Sequence, residues 1–126
     1  MARASMEWRQ NYEKKDGVLT QTLLQELIDK TKDVYAKAST IMRYGEEKTA
    51  PQAIVLLVAT TKDLLDNIGP VLEKKDIKAT KKKMEAPFVV LQKGGASNTL
   101  SQAKPSVEKL RAATRDMNKY LKNIKI

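Results

Sequence analysis

From Leu100 to Ile124 the apolar residues fall in alternating steps of three and four: Leu100, Ala103, Val107, Leu110, Thr114, Met117, Leu121, Ile124. An α-helix, at about 3.6 residues per turn, brings such positions onto one side, so this stretch predicts a helix with a single buried seam. The phase runs unbroken across Pro105, which predicts one bent helix, or a start near Pro105 after a helical turn.

The same period recurs three times upstream, with glycine or proline between the segments. A first helix is expected from about Thr20 to Tyr44, its seam Leu24, Ile28, Thr31, Tyr35, Ala38 and Met42, widened by Leu23, Leu27, Val34 and Ile41. Thr22 with Gln25 offers a capping box, and Gly45 a left-handed stop. A second helix opens at Thr49, with Gln52 three residues on and Pro51 in the first turn, and ends at Gly69-Pro70. Its run from Ala53 to Ala59 is apolar on all sides, which predicts the most enclosed helix. A third begins near Val71 and keeps Ile77, Thr80, Met84, Phe88 and Leu91 in phase until Gly94-Gly95. Pro87 should kink or split it near Ala86. Phe88, Val89 and Val90 would also suit a short strand, but no partner strand exists elsewhere.

Four helices joined by short links make an all-α, antiparallel four-helix bundle the economical solution. The expected organisation is an N-terminal arm over 1–17, helical or extended, followed by the bundle over 18–126. A chain of 126 residues is long enough to bury one core.

Residue types then remove whole classes of chemistry. There is no cysteine and no histidine. Thiolate or imidazole nucleophile chemistry is thereby excluded, along with the commonest metal ligands. Glu46-Glu47 and the Asp63, Asp66 pair have neither the density of a calcium loop nor the four-carboxylate pattern of a di-iron bundle, and read as solvated surface. Gly94-Gly95-Ala96-Ser97 lacks the lysine-serine pair of a phosphate-binding loop. The expectation is a non-enzyme with no catalytic residue, cofactor, metal or small-molecule substrate. The longest apolar run covers about a third of a bilayer, so no transmembrane segment is expected.

Charge supplies the positive signal. Residues 1–70 hold ten Lys/Arg against ten Asp/Glu, whereas residues 71–126 hold fourteen against five, so the second half carries the whole net charge of +9. Segregated charge builds a one-sided field whose natural counterpart is a polyanion. On helix three, Lys74, Lys78 and Lys81 share a line, with Lys75 and Lys82 beside them. On helix four, Lys104, Arg111, Arg115 and Lys122 fall within about 40° of one another, and Lys119 extends the row. Two readings fit these rows: a solvated face, or a surface that tracks phosphates and releases counterions. Lysine outnumbers arginine and no helix-turn-helix, zinc-finger or RNA-recognition signature is present, so any binding should ignore sequence. In the arm, Arg3 and Arg9 add cations. Trp8 and Tyr12, one turn apart, could stack on bases, dock on a neighbouring subunit, or pack back on their own bundle.

A short chain with a polar N-terminal arm, a four-helix bundle and a strongly basic surface without catalytic residue types resembles the coat proteins of filamentous archaeal DNA viruses, of the rudivirus, lipothrixvirus and tristromavirus kind. The resemblance is architectural and spans the whole chain. It implies a major capsid subunit that wraps double-stranded DNA and self-associates into a filament, with or without a second related subunit. Its setting would then be the virion, and the host cytoplasm during assembly. The phosphate contacts would come from Lys74, Lys75, Lys78, Lys81, Lys82, Lys104, Arg111, Arg115, Lys119, Lys122, Arg3 and Arg9, and the subunit contacts from Trp8 and Tyr12. Two other expectations stay open: an adaptor-like bundle that docks a helical or acidic protein, and a small helical subunit of an RNA-guided complex.

Overall fold

A computed structural model describes residues 20–124. The expected arm, with Arg3, Trp8, Arg9 and Tyr12, and its boundary with the bundle lie outside the described residues. Within them the chain forms α1 (Gln21–Tyr44), α2 (Ala50–Asp66), α3 (Lys75–Gly94) and α4 (Leu100–Lys122), with short 3-10 turns at Gly69–Val71 and Gly95–Ser97.

Side-chain bonds fix how the helices lie. Asn118 on α4 donates from Nδ2 to Oγ1 of Thr31 at 2.7 Å, and Arg111 donates from Nε to Oγ of Ser39 at 2.9 Å. Numbers rise along α1 as they fall along α4, so the two are antiparallel. Lys30 meets Asp63 at 2.5 Å, which sets the start of α1 beside the end of α2. α4 packs extensively against both α1 and α3, while α2 and α3 touch less. The result is the expected all-α, antiparallel four-helix bundle, with the helices in cyclic order and α1 diagonally across from α3.

Leu27, Val34, Ile54, Leu57, Leu64, Met84, Leu91, Leu110, Met117 and Leu121 have no measurable exposure. Burial of one such leucine or methionine stabilises by about 1.5–3 kcal/mol before cavity effects. Four threonines share this interior: Thr31, Thr61, Thr80 and Thr114. Each donates its hydroxyl to a carbonyl one turn back, on Ile28, Leu57, Asp76 and Leu110, at 2.6–2.7 Å. A threonine so satisfied packs like a valine, which is why the seam tolerates it.

Several local expectations change. α1 is capped by Thr20, whose Oγ1 accepts from the Leu23 amide at 3.1 Å, and Thr22 instead lies inside the helix. Gly45 is extended (φ −63°, ψ 141°), not left-handed. Glycine is required there by close approach, because a Cβ would collide with the Ile41 carbonyl oxygen and crowd Leu100 Cδ1 at 3.0 Å. Thr49 makes no side-chain cap, although Pro51 does sit in the first turn of α2. That helix is not fully enclosed: Val55 and Leu56 are 45% and 54% exposed. A 3-10 turn at Gly69–Val71 and a further turn precede α3, which starts at Lys75 and not near Val71. α3 runs unsplit through a buried Pro87, and Val89 and Val90 are helical. α4 is likewise continuous from Leu100, capped by Thr99 through the Gln102 amide at 3.2 Å. Glu47 is more than solvated surface, since its Oε1 accepts from the Leu100 amide at 2.9 Å and places a carboxylate at the positive end of α4.

Candidate nucleic-acid interface

α4 buries Ala103, Val107, Leu110 and Met117 along one line. Helical pitch therefore sets Lys104, Arg111, Arg115 and Lys122 to one side of that line, with Lys119 further out. Which neighbour they face is decided by Arg111 and Asn118, both of which bond to α1. The row from Lys104 to Lys122 covers about 27 Å at 1.5 Å per residue, the length of roughly eight base pairs of duplex. Lys104, Arg115, Lys119 and Lys122 are exposed.

Arg111 behaves differently from the others. Its Nη2 donates to the Tyr35 hydroxyl at 3.1 Å, its Nη1 to Glu108 Oε1 at 3.1 Å, and its guanidinium lies 5.0 Å from the centre of the Tyr35 ring. With its Nε on Ser39 and its side chain only 21% exposed, Arg111 is a strap between α4 and α1. It adds charge to the flank while its donors are largely committed within the bundle.

α1 supplies a cation that the charge balance of the first half conceals. On α1, Asp33 pairs with Lys37 at 2.6 Å and Asp29 accepts from Gln25 at 2.9 Å, while Lys30 reaches Asp63 of α2. Lys32 is left exposed beside Arg115 and Lys122. Together with Thr31, Tyr35 and Asn118 these three cations line an open groove of about 300 Å³. No carboxylate lines it. The Asn118 bond to Thr31 fixes the amide, and the Arg111 bond fixes the Tyr35 hydroxyl, so both groups are held in place within a lining that is mostly apolar. Arg115 has one weak contact, with the neighbouring Asp116 at 4.0 Å. The groove thus combines concentrated positive charge with a rigid base, suited to a phosphate and too small for a large organic ligand.

The α3 cations stand apart from this flank. Lys74, Lys75, Lys78 and Lys82 are exposed, and Lys81 is half-buried and paired with Glu85 at 3.0 Å. The α3 and α4 rows do not share one surface, because α4 shows α1 the side that carries its cations. Of the expected phosphate contacts, Lys104, Arg115, Lys119 and Lys122 come together, Arg111 is a tie, the α3 lysines form a separate group, and Arg3 and Arg9 lie outside the described residues. Lys32, Tyr35 and Asn118 are site residues that the sequence reading missed. The available signal was positional: Lys32 and Asn118 each follow a seam residue, Thr31 and Met117, and so border the α1–α4 junction.

α2 carries one lysine against two aspartates and adds nothing to the positive field. Lys62 pairs with Asp66 at 2.7 Å, and that carboxylate, through its hydrogen bond and then its charge, holds the lysine above its ordinary pKa. Among the described residues no cluster of acidic side chains could hold a metal ion, and no helix is long and apolar enough to cross a membrane. Comparison of the chain with family models, curated proteins and solved structures gives no match.

Proposed function

We propose that the protein is a structural, nucleic-acid-coating subunit that lays its α1–α4 flank along a phosphate backbone without reading bases. The observation that carries this reading is the flank itself: Lys32, Lys104, Arg115, Lys119 and Lys122 on one side, with Glu108 already engaged by Arg111. Point-charge lysines at helical spacing can follow phosphates, and they lack the bidentate geometry that base recognition uses. The architectural likeness to the coat proteins of filamentous archaeal DNA viruses makes double-stranded DNA the preferred polymer and a filamentous virion the natural setting. The exposed Val55 and Leu56 on α2, away from the basic flank, suit contact with a neighbouring subunit. That same pair is what an adaptor bundle would use, and an adaptor would remain small and indifferent to DNA.

The test is a salt titration of binding to duplexes of unrelated sequence. With four or five phosphates neutralised, log K should fall against log salt with a slope of about −4, and the curves for all sequences should coincide. A slope near zero, or a strong preference for one sequence, would refute the reading.

A further inference from the structure

Lys75, Lys78, Lys82 and Lys93 fall within about 60° of one another at helical pitch, over about 27 Å, a length equal to that of the α4 row. All four are exposed, as is Lys74 at the helix start. Among the described residues none of the five has a carboxylate within ion-pair reach. Lys81 alone on this side is neutralised, by Glu85.

This concentration is not what solubility requires. α1 and α2 dress their outer surfaces with alternating signs, through Lys37–Asp33, Lys30–Asp63 and Lys62–Asp66. α3 instead stacks like charges at Lys74, Lys78 and Lys82, one turn apart, an arrangement that disfavours a helix by itself. A polyanion relieves that repulsion.

The two rows also point in different directions. α3 packs against α4 and α2, and α1 packs against the same two helices, so α1 and α3 occupy opposite corners of the bundle. The flank between α1 and α4 cannot be reached from α3 without crossing α4. On α4 the cations lie on the α1 side of the buried line. α3 runs the opposite way on the far side of α4, so the corresponding offset turns Lys74 and Lys78 toward α2. The faces are thus back to back, roughly 20 Å apart across one helix spacing and two helix radii. A duplex with a persistence length of about 150 bp cannot fold around so small a body to touch both.

We infer that the α3 lysine face is a second, independent phosphate-backbone site, through which one subunit holds two separate segments of nucleic acid side by side. The inference rests on the proposed role of the α1–α4 flank, and it adds bridging to coating.

The experiment uses the full chain, a bead-bound duplex and a second, fluorescent duplex in solution. The wild-type protein, at a ratio that leaves bead DNA unsaturated, should recruit the fluorescent duplex. The variant carrying Lys74→Glu, Lys75→Glu, Lys78→Glu and Lys82→Glu should bind the bead duplex within about threefold of wild type yet recruit at least tenfold less of the second. A set with glutamine at the same four positions keeps the helix free of new acids and should also lose most recruitment, with circular dichroism confirming the fold of both. Recruitment undiminished in either folded variant would overturn the inference, as it would show bridging by self-association. Wild-type protein that coats bead DNA but recruits nothing overturns the inference alone. Wild-type protein that binds no duplex overturns the proposed function with it.

Discussion

The junction between α1 and α4 is laced with polar bonds, whereas among the described residues no hydrogen bond or ion pair crosses from α2 to α3. On the first side Arg111 ties Ser39, Tyr35 and Glu108, and Asn118 ties Thr31. On the second the helices touch less, and Val55 and Val89 remain exposed. Apolar packing alone holds helices together but tolerates sliding, while directional bonds fix register. The well-tied junction is also the one that carries the continuous row of cations and the groove. A surface that must match a polymer of fixed charge spacing gains from rigidity, since little ordering remains to be done when it binds. The looser junction lacks such bonds, and its exposed apolar residues suit packing between subunits.

The largest effect expected from breaking this difference is on binding. In a chain whose Lys74, Lys75, Lys78 and Lys82 are glutamine, reversing Lys104, Arg115, Lys119 and Lys122 to glutamate removes four counterion-releasing contacts and should weaken duplex binding by about 10³-fold near physiological salt. These side chains are exposed, so the helical circular-dichroism signal should survive. Unchanged affinity in a folded variant would mean that the α1–α4 flank is solvated surface and nothing more. Arg111 belongs outside that set, because reversing it would disturb the bundle as well as the field.

Arg111→Ala probes the lacing itself. It removes charge-assisted bonds to three residues and the stacking on Tyr35, and should cost about 1–2 kcal/mol by chemical denaturation. Lys81→Ala, which breaks a half-buried one-turn pair on the other side, should cost under about 0.5 kcal/mol. Equal costs would erase the distinction between the two junctions. The magnitude for Arg111 is kept moderate because its partner Glu108 is 47% exposed and can be rehydrated.

The helices were legible from the sequence because their seams are regular. The α4 positions Leu100, Ala103, Val107, Leu110, Thr114, Met117 and Leu121 are all buried, and even the threonines fell in phase. What periodicity could not carry was direction around the bundle. A row of cations at a given pitch lies to one side of a seam, but only Arg111 and Asn118 reveal which neighbour stands there, and those bonds join residues more than 70 positions apart. Charge bookkeeping by segment hid Lys32 for the same reason: its half of the chain is neutral in sum, and only the fold sets it beside Arg115 and Lys122. The α1 cap falls on Thr20 and not on Thr22, two residues further on, because the sequence pattern does not fix a helix end to within one or two residues.

The smallest effect concerns α2, where composition misled most plainly. Ala53 to Ala59 is apolar throughout, yet only Ile54 and Leu57 in that run are fully buried. A helix packed on two neighbours has an outward face whatever its sequence, so a run of seven apolar residues must show some of them to solvent. Leu56→Gln should therefore change the unfolding free energy by no more than about 0.5 kcal/mol, the usual range for a surface position away from caps and bonds. A loss of several kcal/mol would place Leu56 inside the fold of the isolated chain. The expected near-zero result would mean that its apolar character serves something other than this bundle's own stability, which is what the looser side of the molecule would need if neighbouring subunits pack against it.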